Sequence, residues 1–302
     1  MPTKVPIKVF RIGHTVVDKD EVQRWMDHIG ATEFEIPEDE AITDPALLIA
    51  LAGKRCYMSF QAGLNPNVTQ IRKEYVDYFD NILKSGHGSV LEHSVYNFAI
   101  EGVSRVFTAE MNRHRAGWAI SEGSLRFIRF GENIPYWEPD SITGSDVLID
   151  GHIAAMREFE EYELIDWLQT AGSRQLTDIE SKKHASRLLF QRAFSHQERM
   201  YKALEIIWAD ALAPASKFAG KKQVTSMMRR IIGLGVATGG IWSGNIRAIR
   251  HVFTMRASEQ AEEEMLHVFS RLVVAMAEKE PLLFGDFYQD DNGYWRPKYV
   301  KV

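Results

Sequence analysis

Between positions 221 and 256 the chain carries seven cations, Lys221, Lys222, Arg229, Arg230, Arg247, Arg250 and Arg256, and not one carboxylate. No pairing inside this stretch can neutralise it. Elsewhere the chain is acidic, with 41 Asp+Glu against 36 Lys+Arg overall and a formal net charge of −5. That balance argues against non-specific nucleic-acid binding by the whole molecule. An acid-free run of planar guanidinium forks suits a nucleotide phosphate or pyrophosphate, and a solvated basic face is its bland counterpart. Five glycines (Gly233, Gly235, Gly239, Gly240 and Gly244) share the segment, yet neither GxGxxG nor GxxxxGK[ST] occurs. They are expected to allow close packing or a bent backbone. Arg247 and His251, four apart, share a helix face, and Asn245 lies behind them, so all three present donors toward one ligand.

Around this segment the periodicity is that of one α+β domain without a convincing linker. A strand is expected over 4–12, a helix over 18–29 closed by Gly30, and an apolar helix opened by Asp44 as N-cap and Pro45 in its first turn. Ile71, Tyr75, Phe79 and Ile82 recur at helical spacing, with Gly86 as a left-handed stop. A strand over 95–100 leads to a helix over 103–114 that ends in Arg113-His114-Arg115, where the helix dipole alone would favour cations. A loop over 131–144 precedes helices over 149–171 and 177–211, the second opened by a capping box at Thr177 and Glu180 and carrying Leu188, Leu189, Phe194, Met200 and Leu204. A last helix over 257–278 aligns Ala261, Met265, Phe269, Leu272 and Met276 and stops before Pro281.

The single cysteine, Cys56, cannot form an internal disulfide, and at the end of an apolar helix it reads as a small buried hydrophobe; a nucleophilic thiolate near arginines is the functional alternative. The N-terminus has charges where a signal peptide needs an apolar core, so the cytoplasm is the expected address. No apolar run approaches the roughly 20 residues of a membrane span. None of the ten histidines forms HExxH, and no metal is expected. Glu92-His93 beside His87 reads as a hydrogen-bonded turn. Four arginines (Arg113, Arg115, Arg126 and Arg129) fall within seventeen residues together with Glu122 and Ser124. Glu122 is suited to accept from a ribose hydroxyl or base and Ser124 to donate to phosphate; a salt-bridged turn is the plainer reading.

Together these blocks resemble the flavin-dependent thymidylate synthases, which methylate dUMP using FAD, NADPH and methylenetetrahydrofolate. The family signature is RHR, seven residues, then SxR and an aromatic. Arg113-His114-Arg115 and Ser124-Leu125-Arg126-Phe127 fit it with eight residues between. Lys54-Arg55-Cys56-Tyr57, Gly86-His87-Gly88-Ser89-Val90-Leu91-Glu92-His93, Asn245-Ile246-Arg247 with His251 and Phe253, Met255-Arg256-Ala257, and Pro281-Leu282-Leu283-Phe284-Gly285-Asp286-Phe287 are similar to family motifs in the family's order.

The resemblance implies a single domain over 1–302 with a mixed or antiparallel sheet flanked by long helices, an N-terminal extension over about 1–45, and a helical elaboration over about 135–215. It implies that His87, Ser89, Arg113, His114, Arg115, Glu122, Asn245, Arg247 and His251 line the FAD site, and that Glu110, Arg113, Ser124, Arg126, Arg229 and Arg256 meet the nucleotide. Arg256 would be the catalytic group, stabilising the anionic pyrimidine beside N3 and O2. A homotetramer with sites shared between chains is implied as well, with neither nucleic acid nor membrane as partner. Departures from the family pattern are Glu110 for a usual glutamine, Phe127 for a usual tyrosine, Ser121 for a usual asparagine, and an added residue that places Trp118 near the site. Because an ionised carboxylate only accepts, Glu110 keeps UMP or a modified uridylate open as substrate. A flavin- or nucleotide-binding protein without transfer activity is the reading from another class.

Overall fold

The computed structural model describes residues 2–39, 41–130, 133–144, 156, 160–172 and 176–302. Several of its helices start where a side chain satisfies the open N–H groups of a first turn. Helix α1 (Lys19–His28) begins at Asp18, whose carboxylate accepts the Glu21 N–H at 3.1 Å. Helix α2 (Asp44–Tyr57) is capped by Thr43, whose Oγ1 accepts from Ala46 N–H at 3.3 Å, so Asp44 is the first helical residue and not the cap. Helix α3 (Tyr75–Lys84) leaves Ile71 outside, and Gly86 beyond it has φ +66°. Cys56 is exposed, contrary to expectation. The inward face of α2 at that level is taken by Gly53 and Lys54, and the Lys54 ammonium is buried 4.8 Å above the Tyr78 ring.

Strands β1 (Thr3–Lys4), β2 (Lys8–His14), β3 (Val95–Ser104), β4 (Trp118–Glu122), β5 (Pro135–Tyr136) and β6 (Ala237–Asn245) make a parallel pair, β1 with β5, and a four-stranded sheet ordered β2-β3-β6-β4. Strand β3 runs on to Ser104, whose hydroxyl accepts from the N–H groups of Val106 and Phe107 and so starts helix α4 (Arg105–Met111). That helix ends before Arg113. The Arg113-His114-Arg115 cluster therefore sits in the following turn, and a helix C-terminal dipole does not explain it.

Of the helix expected over 149–171, only Met156 and the part from 160 onward belong to the described residues: α5 (Glu161–Trp167) and a π turn, Leu168–Gly172. Helix α6 (Ile179–Ile207) is 29 residues long and is capped by Asp178, which accepts from Ser181 N–H at 2.9 Å, one position after the expected Thr177. Then come α7 (Phe218–Met228) with the 3₁₀ turn Arg229–Ile231, α8 (Ile246–Arg256), and α9 (Glu263–Lys279), which starts later than expected and leaves Ala261 outside. A short turn, Pro281–Phe284, and the antiparallel pair β7 (Phe287–Gln289) and β8 (Trp295–Pro297) follow. The fold class is α+β. Among the described residues no helix is long and apolar enough to cross a membrane.

The chain packs as two compact units, each drawn from three segments. The first comprises Met1–Lys8, Glu101–Met111 and Glu122–Gly240. Its core joins Tyr136, Phe194, Tyr201 and Met228, with the Tyr136 and Phe194 rings stacked at 4.5 Å. Buried Glu138 is met there by Lys4 at 2.6 Å and Arg187 at 3.6 Å. The second unit comprises Val9–Ile100, Asn112–Ser121 and Ile241–Val302. It buries Met26, Leu47, Leu51 and Phe60 in one cluster, and Phe253, Phe269, Phe284 and Phe287 meet ring to ring beneath α8.

Candidate functional site

In the second unit, the junction of β6 and α8 is the centre of one cluster. Asn245 caps α8, its Oδ1 accepting the Ala248 N–H at 2.8 Å. One turn on, Arg247 and His251 emerge on the same face. With Asn245, Glu92, Ala116, Gly117 and Val302 they line a cavity of about 300 Å³. Gly117, at φ +74°, makes this approach possible: a Cβ there would stand 2.7 Å from Asn245 Nδ2 and 2.8 Å from the Ala248 methyl. Arg247 donates from Nη1 to Glu92 at 2.6 Å and from Nε to the Val302 carbonyl at 3.3 Å. Both partners of the Arg247–Glu92 pair are about half exposed, so water screens it and turning Arg247 toward an anion costs little.

The buried flank of α8 beside this face answers the acid-free segment differently. Arg250 is buried and forks onto Asp286 at 2.6 and 2.8 Å, while Nη1 also donates to the Leu283 carbonyl. The missing carboxylate thus comes from the Gly285-Asp286-Phe287 block, and the helix that presents Arg247 and His251 is held by a buried ion pair. At the C-terminal end of α8, Arg256 donates from Nε to His114 Nε2 at 2.9 Å, and the His114 ring meets His251 edge-on at 6.2 Å. His114, His251 and Arg256 are therefore brought together. His87 lies across from Tyr57, ring centroids 5.9 Å apart, and the following Gly88 abuts the Arg247 guanidinium; Ser89, Arg113 and Arg115 are exposed in the same unit. Trp118 is not among the residues that line the cavity; its ring lies against Gly244. The expected packing role of the glycines holds at that position.

In the first unit, Glu122 ends β4, and Ser124 and Arg126 belong to the turn that follows. Ser124 O accepts the N–H groups of Phe127 and Ile128 at 2.9 and 3.0 Å, and Ser124 Oγ lies 3.4 Å from Arg126 N. Arg105, from the start of α4, holds the near end of this turn. Its Nη1 lies 3.3 Å from the Glu122 carboxylate and its Nη2 donates to the Gly123 carbonyl. Burial pulls the Arg105 guanidinium below its usual range, Glu122 opposes this, and neighbouring Arg229 adds to it. Glu110 is half-buried on α4, and Arg229 follows α7 in the 3₁₀ turn. Glu122, expected among the flavin residues, stands with the first-unit set.

Arg105 escaped sequence reasoning because it sits inside an apolar run, Val103 to Phe107, and reads as the first turn of a helix. Asp286 had a signal, since an arginine-rich segment without acids requires a distant carboxylate. Among the described residues no group of three or more His, Cys, Asp or Glu side chains is placed to hold a metal ion.

The second-unit cluster suits the pyrophosphate of a dinucleotide: a helix N-terminus, Arg247 and His251 face one cavity. Its volume lies at the low end for ligand pockets, so it admits part of such a cofactor and not the whole.

A protein-family model described as "Thymidylate synthase complementing protein" matches residues 40–282. The flavin-dependent thymidylate synthase of Mycobacteroides abscessus is 30% identical over 264 residues, covering 86% of this chain and 88% of that one. That of Corynebacterium aurimucosum is 27% identical over 266 residues, covering 86% and 89%. A crystal structure of a UMP/dUMP methylase, PolB from Streptomyces cacaoi, bound with 5-Br dUMP, matches with a TM-score of 0.51 at 13% identity, covering 94% of this chain and 96% of that one, a likeness of fold.

Proposed function

This chain belongs to the flavin-dependent thymidylate synthase family, and on that premise we propose that it methylates C5 of the uracil of dUMP to give dTMP. It is an FAD-dependent uridylate C5-methyltransferase. Methylenetetrahydrofolate would provide the carbon and NADPH the reducing equivalents, FAD when bound would supply the hydride chemistry, and the C5 proton would leave to water. His87, Ser89, Arg113, His114, Arg115, Asn245, Arg247 and His251, together with Glu122, would hold FAD. Glu110, Arg113, Ser124, Arg126, Arg229 and Arg256 would hold the nucleotide. A homotetramer that combines residues from different chains accounts for a cavity too small for the whole cofactor.

One observation carries this reading. The arginine assigned to the pyrimidine, Arg256, is hydrogen-bonded through Nε to His114, a residue assigned to the flavin. C5 of uracil is a weak nucleophile until negative charge is stabilised across N3 and O2, which a guanidinium at that edge does. With Nε anchored on His114, the planar Nη pair has one orientation to offer, and the pyrimidine edge is held beside the flavin site. No cysteine is required to attack C6, and Cys56 belongs to neither residue set. Ser124, Arg126 and Arg229 neutralise the 5′-phosphate, where bidentate donors are strongest.

Glu110 favours a second reading, UMP in place of dUMP. A carboxylate where the family has an amide accepts hydrogen bonds only, and the extra ribose hydroxyl of UMP is a donor. The test is tritium release from uridylate labelled at C5, incubated anaerobically with FAD, NADPH and methylenetetrahydrofolate, with dUMP and UMP run in parallel. Release from dUMP supports thymidylate synthesis, release from UMP alone moves the assignment to the second reading, and release from neither, with flavin bound, leaves a binding protein.

A further inference from the structure

The turn that carries Ser124, Arg126 and Phe127 is held from outside by helix α7, and the fastening is specific. Thr225, buried on α7, lies with Oγ1 2.5 Å from the Arg126 carbonyl. The same oxygen is 2.9 Å from the Lys221 carbonyl and 3.2 Å from that of Lys222. A threonine hydroxyl has one hydrogen to give. The shortest of the three contacts is the one that leaves the helix, so the usual back-bond to the preceding turn is the weaker competitor. Beside it, Phe218 at the start of α7 stacks on Phe127 with ring centroids 5.7 Å apart and planes 10° apart. Lys222 Nζ sits 5.6 Å from the centroid of that same ring, and the Arg126 guanidinium 5.5 Å from it. Three successive turns of one helix therefore grip two consecutive residues of the loop. Helix α7 then runs directly into the 3₁₀ turn that carries Arg229.

We propose that Thr225 is a positioning residue for nucleotide binding: by holding the Arg126 carbonyl it fixes where Arg126 stands relative to Arg229. This rests on the reading of Arg126 and Arg229 as phosphate ligands. An arginine on an unfastened loop loses orientational freedom only when the ligand arrives, and that cost is charged to affinity; a loop already pinned has lost it in folding. Phe218 and Lys222 act in the same sense by fixing the Phe127 ring. The alternative, that Thr225 merely satisfies a buried carbonyl for stability, predicts a different pattern of effects.

The experiment uses the full-length flavin-loaded protein and dUMP, and compares wild type with Thr225→Val, Thr225→Ser and Phe218→Ala. Valine keeps the shape of the side chain and removes the hydroxyl; serine restores it. Phe218 is 69% exposed, so its truncation does not threaten the fold. The KM for dUMP is expected to rise about tenfold in Thr225→Val, as for one buried hydrogen bond lost, with kcat within about twofold of wild type. Thr225→Ser should recover most of the loss, and Phe218→Ala should raise KM in the same direction. A KM unchanged in both Thr225→Val and Phe218→Ala, in a wild type that turns dUMP over, overturns the positioning role and leaves the proposed function intact. Thr225→Val that loses thermal stability while Phe218→Ala keeps the wild-type KM also overturns it, in favour of a structural role. A wild type that neither binds nor turns over dUMP removes the proposed function and this inference with it.

Discussion

Replacing Asp286 with asparagine removes one charge from the pair that holds α8. The Arg250 side chain is 4% exposed and that of Asp286 7%, so neither charge can turn to water when its partner goes. In the wild type, Asp286 accepts two guanidinium N–H groups at 2.6 and 2.8 Å and also the Tyr299 N–H at 3.3 Å. Asparagine can accept through only one of its two terminal atoms, and its NH2 would face Arg250 donor to donor. Breaking one side of a buried ion pair costs about 3–5 kcal/mol. Arg250 keeps the Leu283 carbonyl and lies 5.0 and 6.0 Å from the centroids of Phe287 and Phe284, which places the cost toward the lower end, about 3 kcal/mol. That is a large part of the roughly 5–15 kcal/mol by which domains are stable. At about 2 °C per kcal/mol for a chain of this size, thermal unfolding of the flavin-free protein should shift down by about 6 °C. The paired replacement Arg250→Met with Asp286→Leu, which leaves no buried charge, should come within about 1 kcal/mol of wild type, since buried pairs exchanged for apolar residues are often neutral. A shift under about 2 °C in Asp286→Asn, or a double variant less stable than the single one, would refute the argument.

Arg256→Ala should retain FAD, measured as flavin absorbance after desalting, but lose about 10²–10³-fold in turnover, the usual cost of one group that stabilises developing negative charge; near-normal turnover would sink its assignment. Gly117→Ala puts a methyl into the Asn245–Ala248 contact at a positive φ, and flavin affinity, read by fluorescence quenching, should weaken about tenfold or more if the cavity is the cofactor's. Unchanged quenching would place FAD elsewhere. Burial holds Lys54 below its ordinary value of 10.5, so between its folded pKa and 10.5 the unfolded chain carries the extra proton and stability rises with pH. Lys54→Met should flatten the dependence of Tm on pH over that window, and an unaltered slope would contradict the sign.

What the sequence disclosed depends on how far apart the determining residues lie. Helix starts at Asp18 and Pro45 and the stop at Gly86 are local chemistry, and they were legible to within a residue or two. That Asn245, Arg247 and His251 converge was legible because they fall at helical spacing within seven residues, and they do line one cavity. Facts set by rotation or by distant partners were not. Apolar residues from Ala46 to Ala52 announce a buried helix, but at 100° per residue they do not say whether Lys54 or Cys56 turns inward, and it is Lys54. Trp118 looks like an obstruction from its place after Arg113-His114-Arg115, and only the strand pairing reveals Gly244 as the surface it covers. Arg105 with Glu122, Arg250 with Asp286, and Thr225 with the Arg126 carbonyl join positions 17, 36 and 99 apart, distances at which neither periodicity nor spacing carries information.

In the proposed reaction, reducing power passes from bound flavin to the methyl group made on dUMP. The decisive experiment is to reduce the flavin-loaded protein anaerobically, remove NADPH, and add dUMP and methylenetetrahydrofolate together while following the oxidised-flavin absorbance band and the nucleotide products. The band should return and one dTMP should appear for each flavin reoxidised, with neither change when dUMP is omitted. A flavin that stays reduced with both substrates present, or that reoxidises without forming a methylated nucleotide, would contradict it.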